Sequence, residues 1–164
     1  MADPGLTGIL LVGGTSSRFG SPKELAEYGG ETLADRAWRL LGETCEERLA
    51  VGSGGLADPG TGPVAAIAAG LRAAVHELAV VVPVDMPLLT AEALGLLRDA
   101  CRDAAVAQEG PLPCAVARGA LPAFETGERR LRTVLDGLDT ARIELDERLL
   151  ANVNKQSDLD RLAP

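Results

Sequence analysis

Residues 78–82, LAVVV, form an unbroken apolar run with no polar residue in alternation. A run of that kind suits a strand covered on both faces, the condition of a parallel sheet wrapped by helices. Its surroundings agree. Residues 6–12 read as a second apolar strand, stopped by Gly13-Gly14, and 48–51 as a third, ending in GSGG. Between them Thr32 caps a predicted helix over 32–43, with Leu33, Ala37, Leu40 and Leu41 on one face. Pro63 opens another helix whose inward face is Val64, Ile67, Ala68, Leu71 and Val75. Thr90 caps a third over 91–102, with Leu94, Leu97 and Cys101 inward. Further strands are predicted at 104–107, 112–117 and 141–145, a helical region at 119–137, and a short helix at 156–162. Strands alternating with helices give βαβ units. The expected fold is α/β, a three-layer α/β/α arrangement around a Rossmann-like, mostly parallel sheet, formed by one domain spanning all 164 residues.

Only 2% of the residues are aromatic, so Leu, Val, Ala and Ile must fill the core. The net charge of -8 argues against a nucleic-acid or polybasic membrane grip, and any anion must be held by a local site. Cys45, Cys101 and Cys114 show no metal-binding spacing, and with one histidine a zinc centre is not expected. Neither a leader nor an apolar stretch long enough for a membrane span is recognisable, and a cytoplasmic protein is expected. The acidic run at 43–47 reads as a solvated helix end, and His76 as surface.

In doubly wound sheets ligands bind beyond the carboxyl ends of the strands. Two features sit there. The first is the stretch LLVGGTSSRFGSPK, residues 10–23. Glycines after a strand let backbone N–H groups approach an anion, Thr15, Ser16 and Ser17 add hydroxyls, and Arg18 and Lys23 add local positive charge. The order fits neither a Walker loop nor a dinucleotide fingerprint, because Ser21-Pro22 precedes Lys23 and the glycines fall at 13, 14 and 20. The second is Asp85, just beyond the LAVVV strand; an Asp there can cap a turn, but its place at the ligand edge of the sheet favours a hard cation such as Mg²⁺. Asp58 before Pro59-Gly60, and Asn152 and Asn154 near the end, are residue types that form turns as readily as sites.

The stretch LLVGGTSSRFGSPK resembles the L-x-G-G-x-x-x-R-x-G-x-x-K signature of nucleotidyltransferases of the nucleotide-diphospho-sugar transferase type. GPVAAIAAGL, VPVDMPLL, GERRLRTVL and LANVNKQSDL are similar, in the same order, to the helix, metal-strand, late G-x-R and C-terminal motifs of the molybdenum cofactor guanylyltransferase family. The resemblance implies transfer of GMP from GTP to molybdopterin with release of pyrophosphate, assisted by Mg²⁺. By the same resemblance Leu11, Val12 and Gly13 would line the base and ribose, with Gly14 nearby. Lys23 would contact phosphates, and Arg18 would hold the leaving end. Asp85 would bind Mg²⁺, Asp58 would contact the nucleotide, and Asn152 and Asn154 would supply a second metal or acceptor contact. Molybdoenzymes or insertion factors are the implied protein partners.

Some features depart from that pattern. Only six residues separate Val51 from Asp58, Pro22 stands where the family often has Asp, and Lys155-Gln156 replaces Thr-Pro. Pro-Lys is found in sibling cytidylyltransferases acting on the same pterin. A cytidylyltransferase, a sugar-phosphate nucleotidyltransferase and a nucleotide-binding partner without turnover therefore stand as alternatives.

Overall fold

The computed structural model describes residues 5–12, 25–52 and 55–162. Six strands form the main sheet: β1 (Leu6–Leu11), β4 (Glu47–Val51), β5 (Leu78–Pro83), β6 (Ala104–Ala107), β7 (Cys114–Ala117) and β8 (Thr140–Ile143). Their order is β4-β1-β5-β7-β6-β8, and β7 alone runs against the others. The mostly parallel three-layer fold expected from the sequence is the one observed.

The central strands divide the core into two layers, since successive side chains leave a strand on opposite faces. Leu6 and Leu10 of β1 and Val80 and Val82 of β5 pack with α1 (Leu33–Thr44) and α3 (Ala91–Ala100) through Leu33, Leu41, Leu94 and Leu97. Ile9, Ala79 and Val81 pack on the other side with α2 (Pro63–Ala73) and α4 (Leu131–Asp136) through Ile67, Leu71, Leu131 and Leu135. Both faces of β5 are thus covered, as its continuous apolar run requires.

Helix starts follow the expected chemistry. The Thr32 hydroxyl accepts the Asp35 N–H at 3.0 Å, and Thr90 accepts that of Ala93 at 3.2 Å. The α2 helix begins with Pro63 at its first position, after Gly62 at φ 105°.

Three differences have local causes. A two-stranded hairpin, β2 (Glu27–Tyr28) and β3 (Glu31–Thr32), turns through Gly29 and Gly30 at positive φ, and strands of two residues are too short to show a period. The helical region expected at 119–137 splits into a 3₁₀ segment, Arg118–Glu125, and α4. Pro122 lacks an N–H for a continuing α-helix, and Gly127 leaves helical geometry at φ 93°. Strand β7 starts at Cys114 rather than 112, because Pro113 brings no N–H to a ladder. The chain ends in a 3₁₀ turn, Glu147–Leu150, and α5 (Gln156–Leu162). Among the described residues no helix is long and apolar enough to cross a membrane.

Candidate active site

Strand β5 ends at Pro83, and the turn that follows sets Asp85 at the carboxyl edge of the sheet. The Val153 N–H donates to the Asp85 carbonyl at 2.8 Å, drawing the C-terminal segment alongside. Val153 itself is fully buried. In this extended stretch its neighbours Asn152 and Asn154 face away from the core, and both are exposed. Asp85 and Asn152, 67 positions apart in the chain, thereby line one cavity of about 270 Å³ with Pro83, Met86, Glu109 and Leu112. Asp85 Oδ1 is shielded from solvent.

Asn154 is placed differently. Its backbone N–H and that of Lys155 donate to Asp158 Oδ2, at 2.9 and 3.2 Å, and close the start of α5. The bond from the Asn154 N–H is the main reason the Asp158 carboxyl lies below its ordinary range. Asp58 likewise serves a turn, its Oδ1 accepting the Gly60 N–H at 2.8 Å ahead of α2.

Val12 extends β1, donating its N–H to the Val51 carbonyl at 3.0 Å. With Leu10, Trp38, Ala50, Gly55 and Leu56 it lines a broad, mainly apolar depression of about 630 Å³ beside β4. Leu11 lies on the opposite face, half-buried against the layer that holds α2. Gly13, Gly14, Arg18 and Lys23 lie outside the described residues.

The cavity at Asp85 suits a hard divalent cation. Among its lining residues Asp85, Glu109 and Asn152 carry oxygen-bearing side chains, the ligand type a hard cation prefers. Among the described residues no cluster of three His, Cys, Asp or Glu could hold a metal by itself. Mg²⁺ takes one or two carboxylates and completes its shell with water and substrate phosphate, so it would need no such cluster. The thiols offer no alternative chemistry. Burial raises Cys45 and Cys114 to about 12 and Cys101 to about 11, so all three are protonated at neutral pH.

Two residues of this edge escape a sequence reading. Glu109 stands in the connection between β6 and β7, outside any motif. Arg132, inside GERRLRTVL, donates through Nη2 to the carbonyls of Gly110 at 2.6 Å and Glu109 at 3.3 Å.

Residues 8–143 match the family described as the MobA-like NTP transferase domain. A probable molybdenum cofactor guanylyltransferase of Deinococcus radiodurans is 32% identical, the match covering 96% of this chain and 94% of that protein. One from Mycobacterium tuberculosis is 34% identical, over 94% of this chain and 91% of its own length. In three dimensions the chain is similar to molybdopterin-guanine dinucleotide biosynthesis protein A from Archaeoglobus fulgidus, with a TM-score of 0.72 and 22% identity over 94% of this chain and 95% of that one.

Proposed function

This chain belongs to the MobA-like NTP transferase domain family, and from that premise we propose that it transfers GMP from GTP to molybdopterin. An oxygen of the acceptor's phosphate attacks the α-phosphorus of GTP and forms the new P–O bond. The bond from the α-phosphorus to the bridging oxygen of the β-phosphate breaks, and pyrophosphate leaves with that electron pair. Such a step depends on positioning and charge neutralisation rather than on a protein nucleophile. The three protonated, half-buried or buried thiols are consistent with that.

The observation that carries the reading is the convergence of Asp85 and Asn152 on one cavity at the carboxyl edge of the sheet. The near-full-length relatives named as guanylyltransferases supply the substrates. In this reading Asp85 and Asn152 hold Mg²⁺, and Asn154 approaches the acceptor from the same segment. When bound, the ion would offset negative charge on the phosphates. The depression lined by Val12 takes base and ribose, with Leu11, Gly13 and Gly14 contributing backbone. Asp58 meets the nucleotide ahead of α2. Arg18 and Lys23 hold the phosphates. The domain works in the cytoplasm and passes its product to molybdoenzymes or insertion factors.

The test is a competition assay with equal GTP and CTP, Mg²⁺ and molybdopterin. The guanine dinucleotide is the expected product. Predominant cytosine dinucleotide, which the Pro22-Lys23 step would favour, rejects guanylyl transfer and leaves the phosphate chemistry in place.

A further inference from the structure

The connection between β6 and β7, residues 108–113, forms one wall of the Asp85 cavity through Glu109, Gly110, Pro111 and Leu112. It contains no strand, so its position depends on bonds from elsewhere. The base of the connection is held by four of them. Gln108 and Leu145 bond reciprocally, Nε2 donating to the Leu145 carbonyl at 2.6 Å and Oε1 accepting the Leu145 N–H at 2.9 Å. Arg142 of β8 donates to the carbonyls of Ala107 and Gln108 at 3.4 and 3.3 Å. Further along, Arg132 of α4 donates to the carbonyls of Glu109 and Gly110, which line the same cavity as Asp85 and Asn152.

We propose that Arg132 is a positioning residue for the acceptor substrate, fixing the wall of the Asp85 cavity that the acceptor must pass or touch. The proposal rests on the reading of that cavity given above. One guanidinium nitrogen, Nη2, is shared between two successive carbonyls, at 2.6 and 3.3 Å, and ties the peptide unit between them to α4. Arg132 lines neither the Asp85 cavity nor the depression beside β4, and its bonds to the 109–110 carbonyls bear on one wall of one cavity. The acceptor is the substrate affected, because the depression lined by Val12 is built from β1, β4 and α1 and shares no lining residue with the 108–113 wall. Arg132 is itself exposed, so its removal leaves no buried charge behind.

The experiment compares wild type, Arg132→Ala and Arg132→Lys in three measurements: molybdopterin binding, Mg²⁺-GTP binding, and amide hydrogen exchange across 108–113. Arg132→Ala is expected to weaken molybdopterin binding about tenfold, the usual scale of a lost charge-assisted hydrogen bond. GTP binding should stay within about twofold on the same scale. Exchange in 108–113 should rise, and Arg132→Lys should recover part of both effects. Equal weakening of GTP and molybdopterin overturns the proposal, as does unchanged molybdopterin binding with faster exchange. So does a wild-type protein that does not bind molybdopterin. A wild type that binds it yet forms no guanine dinucleotide overturns guanylyl transfer alone, and the binding and exchange measurements still decide the role of Arg132.

Discussion

Gly70 of α2 is buried against β1, and a Cβ placed on it would stand 2.8 Å from Ile9 Cδ1, 2.9 Å from Cγ2 and 3.1 Å from Cγ1. Ile9 is fully buried at the centre of the sheet, and its β-branch holds Cγ1 and Cγ2 in place through χ1. The Gly70→Ala substitution therefore sets two effects against each other. Helix propensity favours alanine by about 1 kcal/mol. Overpacking in a filled core costs about 1–3 kcal/mol. Two of the three contacts are closer than real Cβ atoms tolerate, so the steric effect should win, for a net loss of about 1–2 kcal/mol. In a domain of this size that lowers Tm by roughly 2–8 °C. Ile9→Val removes Cδ1 and alone costs about 0.5–1.5 kcal/mol. In the double variant the two losses should fall short of their sum by about 0.5 kcal/mol or more. Urea titration and thermal melting followed by circular dichroism measure all three proteins. Additive losses within about 0.3 kcal/mol would refute the steric argument, as would stabilisation by Gly70→Ala alone.

Asp85→Asn keeps the shape of the residue but removes its negative charge. Turnover should fall strongly at limiting Mg²⁺ while metal-free nucleotide binding changes little, and unchanged turnover would remove Asp85 from the metal site. Glu46 provides a pH test. Its Oε2 accepts the Leu6 N–H at 2.6 Å, and that backbone bond is the first cause of a carboxyl pKa below the ordinary 4.5. A depressed carboxylate contributes its stability fully above the unfolded pKa and loses it as pH falls through the folded value. The stability of wild type should therefore drop more steeply below about pH 4.5 than that of Glu46→Gln. Superimposable acid-unfolding curves would count against the bond.

What the sequence reveals, and what it conceals, follows the range of the forces involved. The LAVVV run, Thr32, Thr90 and Pro63 act within a few residues, and strand β5 and the starts of α1, α2 and α3 are legible from them. The reversed direction of β7 has its cause in length: residues 108–113 are too few for the crossover that a parallel pair needs. Glu46 and Glu47 read as solvated charge, yet they tie down β1. Glu46 accepts the Leu6 N–H, and Glu47 accepts the Thr7 hydroxyl at 2.6 Å and the Val75 N–H at 3.0 Å. Nothing in the local pattern distinguishes an acid that finds a strand from one that finds water. Asp85 was placed by its strand, but its companionship with Asn152 depends on the Val153 bond, which no spacing encodes. Glu109 lies outside any motif, and its contact with Arg132 of the GERRLRTVL stretch spans 23 residues, a pairing that neither segment signals.

The charge balance of the edge leads to the final prediction. The chain carries a net charge of -8, and among the described residues that line the Asp85 cavity there is no Lys or Arg. Several arginines near the sheet are bonded elsewhere: Arg36 to the Pro87 carbonyl, Arg39 to Glu31 and Glu43, Arg72 to Glu125 and Arg102 to Asp139. A triphosphate arriving beside Asp85 and Glu109 needs positive charge from another source, and the sequence offers Arg18 and Lys23 between Val12 and Leu25. Arg18→Ala and Lys23→Ala should then weaken GTP binding more than GMP binding, because the second and third phosphates carry the charge these side chains would answer. A charge-assisted hydrogen bond contributes about 1.5–3 kcal/mol, so each loss should be about tenfold to a hundredfold for GTP. Titration of each variant with GTP and GMP, with and without Mg²⁺, reads the difference directly. If both nucleotides weaken by the same factor, the two cations do not serve the triphosphate, and the positive charge at this edge must be sought from the metal alone.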